Sequence, residues 1–195
     1  MRIIAGRLKN LILEVPENGT RPTTDRTKEA IFSHLEAEDI LHDEATVLDL
    51  FAGSGALGFE ALSRGARHVT FVDAASGAIS CLRKTISGAR KNRSWDPSSM
   101  DIRLVKTKAQ TFAQKLTVET EPHYSIVFLD PPYAFTDTEF DDLLQQITLS
   151  GALTDDCLII SERSSRSVAP CAPDGWETDM VRAYGETTIY YMSRC

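Results

Sequence analysis

The chain has 195 residues, 42% of them hydrophobic, and its 28 acids outnumber its 21 lysines and arginines to give a net charge of −7. That supports one substantial core in one compact unit, while no apolar run approaches the roughly 20 residues of a membrane span. The opening MRIIAGRLKN has too short an apolar stretch for a secretory signal, so a cytoplasmic protein is expected. Cys81, Cys157, Cys171 and Cys195 are scattered, with no C-x-x-C, and His34, His42, His68 and His123 are equally dispersed. The expectation is reduced thiols, no metal and a monomer.

In chain order, two short strands near Ile3-Ile4 and from Leu11 to Val15 read as a small ribbon. Thr24 is placed to cap a helix running to about Leu35, with Ala30, Ile31 and Leu35 at apolar spacing. Short apolar strands then recur at Val47–Leu50, Val69–Val72, Ile102–Val105, Ile126–Leu129 and Leu158–Ser161. Helical stretches lie between them at Ala56–Ser63, Ser76–Lys91 and Glu139–Ile147. Strands near Trp176–Tyr184 and Thr187–Met192, joined by Gly185-Glu186, read as an antiparallel hairpin. Alternation of helices with continuous apolar strands predicts an α/β fold, a mostly parallel seven-stranded sheet covered on both faces. Residues 1–40 form an N-terminal extension of ribbon and helix, and 41–195 the main domain.

Charge is unevenly spread. Leu82 to Lys108 holds eight bases (Arg83, Lys84, Arg90, Lys91, Arg93, Arg103, Lys106, Lys108) against Asp96 and Asp101, and the first ten residues hold three bases and no acid. A polarised surface of this kind is compatible with a polyanion on one face, although charge runs are as often solvated helix faces.

Two stretches carry chemistry. Val47 to Gly58 reads VLDLFAGSGALG, a strand, a glycine loop and a helix start, with Asp73 twenty positions after Gly53 at the end of the next strand. Glycines allow a tight turn and close approach of a ligand, and the distal acid can accept hydrogen bonds from ribose hydroxyls. Asp49, just before the loop, favours a cationic ligand part over a pyrophosphate.

The second stretch, Val127 to Tyr133, reads VFLDPPY. Two prolines stop both sheet and helix and make a stiff corner. In a doubly wound sheet strand four lies beside strand one, which puts Asp130 next to the Gly53 loop. There Asp130 and the Pro131 carbonyl can accept the two N–H groups of a nucleobase amine, while Tyr133 stacks on the ring. A carboxylate so placed stabilises the charge that develops on nitrogen when a methyl group arrives.

On RIIAGRLKN, RPTTDRTKEAIF, LDLFAGSGALGFEALSRGA and VFLDPPY, the chain resembles the RsmD family of bacterial small-subunit (16S) ribosomal RNA guanine-N2 methyltransferases. The resemblance covers nearly the whole chain and implies a Rossmann-like class I methyltransferase fold using S-adenosylmethionine. It implies action on ribosomal RNA in an assembled small subunit. By motif position, Asp130, Pro131, Pro132 and Tyr133 take the target base. Thr23, Asp49, Phe51, Gly53, Ser54, Gly55, Asp73, Ala74 and Ala109 hold the cofactor, and Arg21-Pro22-Thr23-Thr24 with Arg26 lies over its entrance. The bases Arg2, Arg7, Lys9, Arg21, Arg26 and Lys28 are expected to grip RNA phosphates near the cleft, with the Arg83–Lys108 run on the far side of strand two. One departure is Lys106-Thr107-Lys108-Ala109, where such enzymes often offer an acid or amide to the adenine; lysine cannot accept that hydrogen bond.

Rival readings differ in their signatures. A DNA or RNA adenine-N6 or cytosine-N4 methyltransferase shares the D-P-P-Y logic, but a DNA enzyme normally carries a separate target-recognition region. A protein-glutamine methyltransferase is expected to carry N-P-P-Y. A non-enzymatic RNA-binding module needs neither the glycine loop nor D-P-P-Y together, and an NAD oxidoreductase has no use for the second.

Overall fold

The computed structural model describes residues 1–16, 25–119 and 122–195. The expectations placed on Arg21, Pro22, Thr23 and Thr24, the helix cap among them, therefore lie outside the described residues. The elements are α1 (Asp25–Ala37), β1 (Thr46–Asp49), α2 (Ala56–Arg64), β2 (His68–Asp73), α3 (Ser76–Arg90) and β3 (Asp101–Lys106). There follow α4 (Ala109–Ala113), β4 (Tyr124–Leu129), α5 (Asp137–Leu149), β5 (Leu153–Ser164), β6 (Trp176–Tyr184) and β7 (Thr187–Arg194).

All seven strands form one sheet in the order β3-β2-β1-β4-β5-β7-β6. The first five run parallel, while β7 is antiparallel to both β5 and β6. The sheet is the predicted α/β arrangement with its antiparallel pair at the end. β4 is buried along its whole length, as a central parallel strand must be when helices cover both faces. Successive residues feed opposite cores. Val47, Ile126 and Phe128 pack with Phe32, Phe59 and Phe71. Leu48, Val127 and Leu129 pack with Phe140, Leu144 and Phe112.

Two boundaries depart from expectation for physical reasons. β5 begins five residues before Leu158, because Thr154, Asp155 and Asp156 are too polar to read as strand yet lie on an outward-facing stretch. The short α4 was not expected, since five residues give too little periodicity to detect.

The N-terminal ribbon reduces to one antiparallel bridge, Arg2 to Ile12, closed by backbone hydrogen bonds from Ile3 to Leu11 and from Leu13 to Met1, each 3.0 Å. Its turn lies flat on the end of α2. Gly6 has φ +80° and a side chain there would begin 2.0 Å from the Ser63 carbonyl oxygen, so only glycine fits. Glu60 of α2, fully buried, accepts the Ile4 and Ala5 amides at 2.9 and 3.0 Å and the Arg64 Nε–H at 2.8 Å. Lys28 Nζ stands 3.8 Å from the same carboxylate with 0% of its side chain exposed. Lys28, expected on an RNA-binding face, is therefore corrected to a structural cation that neutralises a buried acid, as burial of a charge requires.

Candidate active site

The glycine loop is shaped from beneath and from the side by two acids. Asp49, at the end of β1, is 3% exposed and accepts the Gly58 amide in the first turn of α2 at 3.1 Å. Burial, with a smaller contribution from the charge of Asp73, pushes its carboxyl up to about 7 against the lowering effect of that Gly58 hydrogen bond. Asp73, at the end of β2, accepts the Gly53 amide at 2.9 Å and the Ala75 amide at 2.8 Å. One carboxylate thus ties the first loop to the second. Gly58 is the packing glycine of the motif, since a side chain there would begin 2.3 Å from the Phe71 ring.

Room for a ligand lies over Gly53. A methyl group built on it would meet only the Phe51 carbonyl oxygen, at 3.9 Å. Around that space stand half-buried Phe51, Gly53, Ser54 and Asp73, with Ala74 exposed. Acids and small residues, with no cation among the described residues of this loop, suit a cationic adenosine derivative better than a pyrophosphate.

The D-P-P-Y corner reaches the same rim. β1 and β4 pair in register with Asp49 opposite Phe128, so the two loops leave neighbouring strands. They also touch: the rings of Phe51 and Phe135 meet edge to face with centroids 5.2 Å apart. The Phe135 amide donates to the Pro132 carbonyl at 2.8 Å, closing a turn that leads into α5 through a capping box of Thr136 and Glu139. Tyr133 is held out with 70% of its surface exposed, free to lie on a ring. Asp130, Pro131, Pro132 and Tyr133 line one pocket with Phe135 and the end of β5.

The other predicted residues divide between the rim and the opposite end of the sheet. Ala109, the first residue of α4, is buried against the core, and Lys108 is exposed just before it. Arg2 follows Met1, whose sulfur takes a long 3.8 Å contact from the Ser54 hydroxyl, so Arg2 stays at the rim end. Arg26 is exposed in the first turn of α1. Arg7 is not near the cleft. Its amide donates to the Ser63 carbonyl at 2.6 Å, and its guanidinium to Leu62 O at 3.3 Å and Ser99 Oγ at 3.0 Å. That is the far end of α2, where Ser63 lies eight residues or about 12 Å from Gly55 of the glycine loop. Arg7 and neighbouring Lys9 are thus corrected to the opposite end of the sheet, where the tight seat of Gly6 draws them. Leu11 also packs within 3.9 Å of the side-chain position of Gly88 on α3. The two basic surfaces expected to be separate therefore adjoin.

Of the residues lining this pocket, sequence reasoning named only Asp130 to Tyr133 and missed Phe135, Glu162, Arg163, Ser164, Ser167 and Thr187. The signal for Glu162 was present: like Asp49, Asp73 and Asp130, it is an acid that follows an apolar run, although β5 itself continues to Ser164. Among the described residues no group of three or more His, Cys, Asp or Glu side chains is placed to hold a metal.

Residues 1–193 match the family described as Conserved hypothetical protein 95. A ribosomal RNA small subunit methyltransferase D of Escherichia coli strain K12 is 34% identical, across 100% of this chain and 90% of its own length. A solved structure described as "Putative methyltransferase yhhF from Escherichia coli" is 32% identical with a TM-score of 0.82, covering 100% of this chain and 97% of that one. A ribosomal protein L11 methylase of Lactobacillus delbrueckii subsp. bulgaricus shares the fold alone, at 16% identity and TM-score 0.62, over 96% of this chain and 86% of its own.

Proposed function

The chain belongs to the Conserved hypothetical protein 95 family, that of the ribosomal RNA small subunit methyltransferase D proteins, and from this premise we propose that it methylates the exocyclic N2 of a guanine in 16S ribosomal RNA. The methyl donor in this reading is S-adenosylmethionine, and the substrate is the assembled small subunit. The observation that carries it is the pairing of β1 with β4, which sets the glycine loop and Asp130 on neighbouring strand ends with Phe51 against Phe135.

Phe51, Gly53, Ser54, Gly55, Asp73 and Ala74 would hold the cofactor, with Asp49 fixing the loop from below. When bound there, S-adenosylmethionine supplies an electrophilic methyl group on a positively charged sulfur. Everything else is done by the chain. Asp130 accepts one N–H of the target amine and the Pro131 carbonyl accepts the other. Together they draw the nitrogen lone pair out of conjugation with the ring. Tyr133 stacks on the base and fixes its plane, at an exposed position that suits a nucleotide turned out of its stack. As the nitrogen gains its fourth bond it becomes cationic, and Asp130 stabilises that charge and then accepts the proton. Arg2 and Arg26, exposed at the rim end, hold phosphates of the same strand.

The test is nucleoside mass spectrometry of 16S ribosomal RNA from cells with the gene deleted and restored. N2-methylguanosine at one position is expected to disappear on deletion, return with the wild-type gene and stay absent with Asp130→Ala. Removing a charge-stabilising group in a dry site typically costs on the order of 100-fold or more in rate, while calorimetry should find cofactor affinity unchanged. An unchanged nucleoside profile on deletion would sink the reading.

A further inference from the structure

The pocket beside Asp130 is walled by a strand end that the reaction outlined above leaves unused. Leu129 of β4 and Ser161 of β5 are register partners, so the residues that follow stand side by side, Asp130 just past the end of β4 and Glu162 still within β5, where it pairs with Ile189. Both line the same pocket as Tyr133. Glu162 is half-buried, and the Thr187 hydroxyl at the start of β7 donates to its Oε1 at 3.4 Å, which orients the carboxylate. The next residue, Arg163, is already held by Asp137 and lies over the Phe140 ring at 4.5 Å. A second carboxylate, not a cation, therefore stands beside the one that takes the amine.

An ionised carboxylate only accepts hydrogen bonds. Two of them side by side call for a base edge that presents donors alone. Guanine has such an edge: the N1–H lies directly beside the N2 amine. In adenine the ring nitrogen next to the N6 amine carries a lone pair, and so does the ring nitrogen next to the N4 amine of cytosine. We infer that Glu162 is the residue that selects guanine, accepting the N1–H of the base whose N2 amine is held by Asp130. An adenine or cytosine in the same pose sets a lone pair against a half-buried carboxylate, which a site built for a donor rejects strongly. This selects against the adenine-N6 and cytosine-N4 alternatives. It rests on the reading of Asp130 as the amine acceptor.

The experiment uses small subunits reconstituted around ribosomal RNA that carries 2-aminopurine riboside at the mapped target position. This base keeps the N2 amine but has a lone pair at N1. Wild-type protein should methylate it on the order of 100-fold more slowly than guanosine, in kcat/KM. In Glu162→Gln the amide can donate to that lone pair, so the preference for guanosine should collapse to within a few-fold. Cofactor binding by calorimetry should be unaltered in the variant. Wild-type protein that accepts both bases alike overturns the inference without any variant, and so does a Glu162→Gln protein that keeps the wild-type ratio. If wild-type protein methylates neither base, the role given to Asp130 fails and this inference falls with it.

Discussion

Asp49 shows how one side chain links the site to stability. Its carboxyl is raised from the ordinary 3.8 to about 7, chiefly by burial, so the folded protein keeps a proton there across a range in which the unfolded chain has lost it. The sign follows: the contribution to stability is full below about pH 3.8, declines as pH rises towards 7, and is lost beyond it. Three pH units at 1.36 kcal/mol each bound the effect at about 4 kcal/mol. Asp49→Asn keeps an acceptor for the Gly58 amide and carries no charge. Urea unfolding should find this variant close to wild type near pH 4 and increasingly the more stable of the two up to pH 8. A difference that does not change with pH would refute the buried, titrating carboxylate.

At the scale of elements, the ribbon, α1 and α2 are joined through Glu60. Its carboxylate serves two ribbon amides, Arg64 of its own helix and Lys28 of α1. Glu60→Ala leaves the buried Lys28 with only the exposed Asp25 carboxylate, 3.5 Å away, and strips Arg64 and two ribbon amides of their acceptor; breaking a buried pair from one side costs about 3–5 kcal/mol. Denaturant unfolding should show a loss of that size, with the slope against denaturant unchanged. A loss under 1 kcal/mol would mean that the network is solvated. This network was not legible in the sequence. Lysine is almost never fully buried, and the buried partner of Lys28, Glu60, lies on another helix, while the local partner, exposed Asp25 three residues earlier, reads as an ordinary surface pair. Reading Lys28 as an RNA contact followed from composition alone. The strands, the glycine loop and the D-P-P-Y corner were legible because their signals are local: apolar runs, glycine spacing and proline stops. Pairing of Asp130 with Glu162 depends on the register of β4 against β5, which no single strand encodes.

Over the whole molecule, a net charge of −7 hides a basic flank. Between α3 and the edge strand β3 lies a groove of about 410 Å³, lined by Arg83, Arg90 and Lys91 over Ile86, Ile102 and Leu104. Arg7, outside the groove, donates to Ser99 in the loop before β3. Such a surface fits the phosphates of an RNA segment away from the target base. Arg90→Glu with Lys91→Glu should weaken binding to the small subunit and lower the slope of log affinity against log salt by about 2. Cofactor affinity should not change, because α3 carries these residues about 20 Å from its start at the rim. An unchanged salt slope would remove the flank from the binding face.

The seam between β1 and β4 has a cost in chain entropy. Thr46 and Ser125, hydrogen-bonded across it, are 79 residues apart in the chain, whereas β6 and β7 are joined by a two-residue turn. Closing so long a loop is the slow and entropically expensive kind of contact. The glycine loop rides on one side of that seam and the D-P-P-Y corner on the other. A ligand that touches both is linked by mass action to the most non-local strand pairing of the sheet, so each tenfold rise in its saturating concentration should add about 1.4 kcal/mol to the work of pulling the two halves apart.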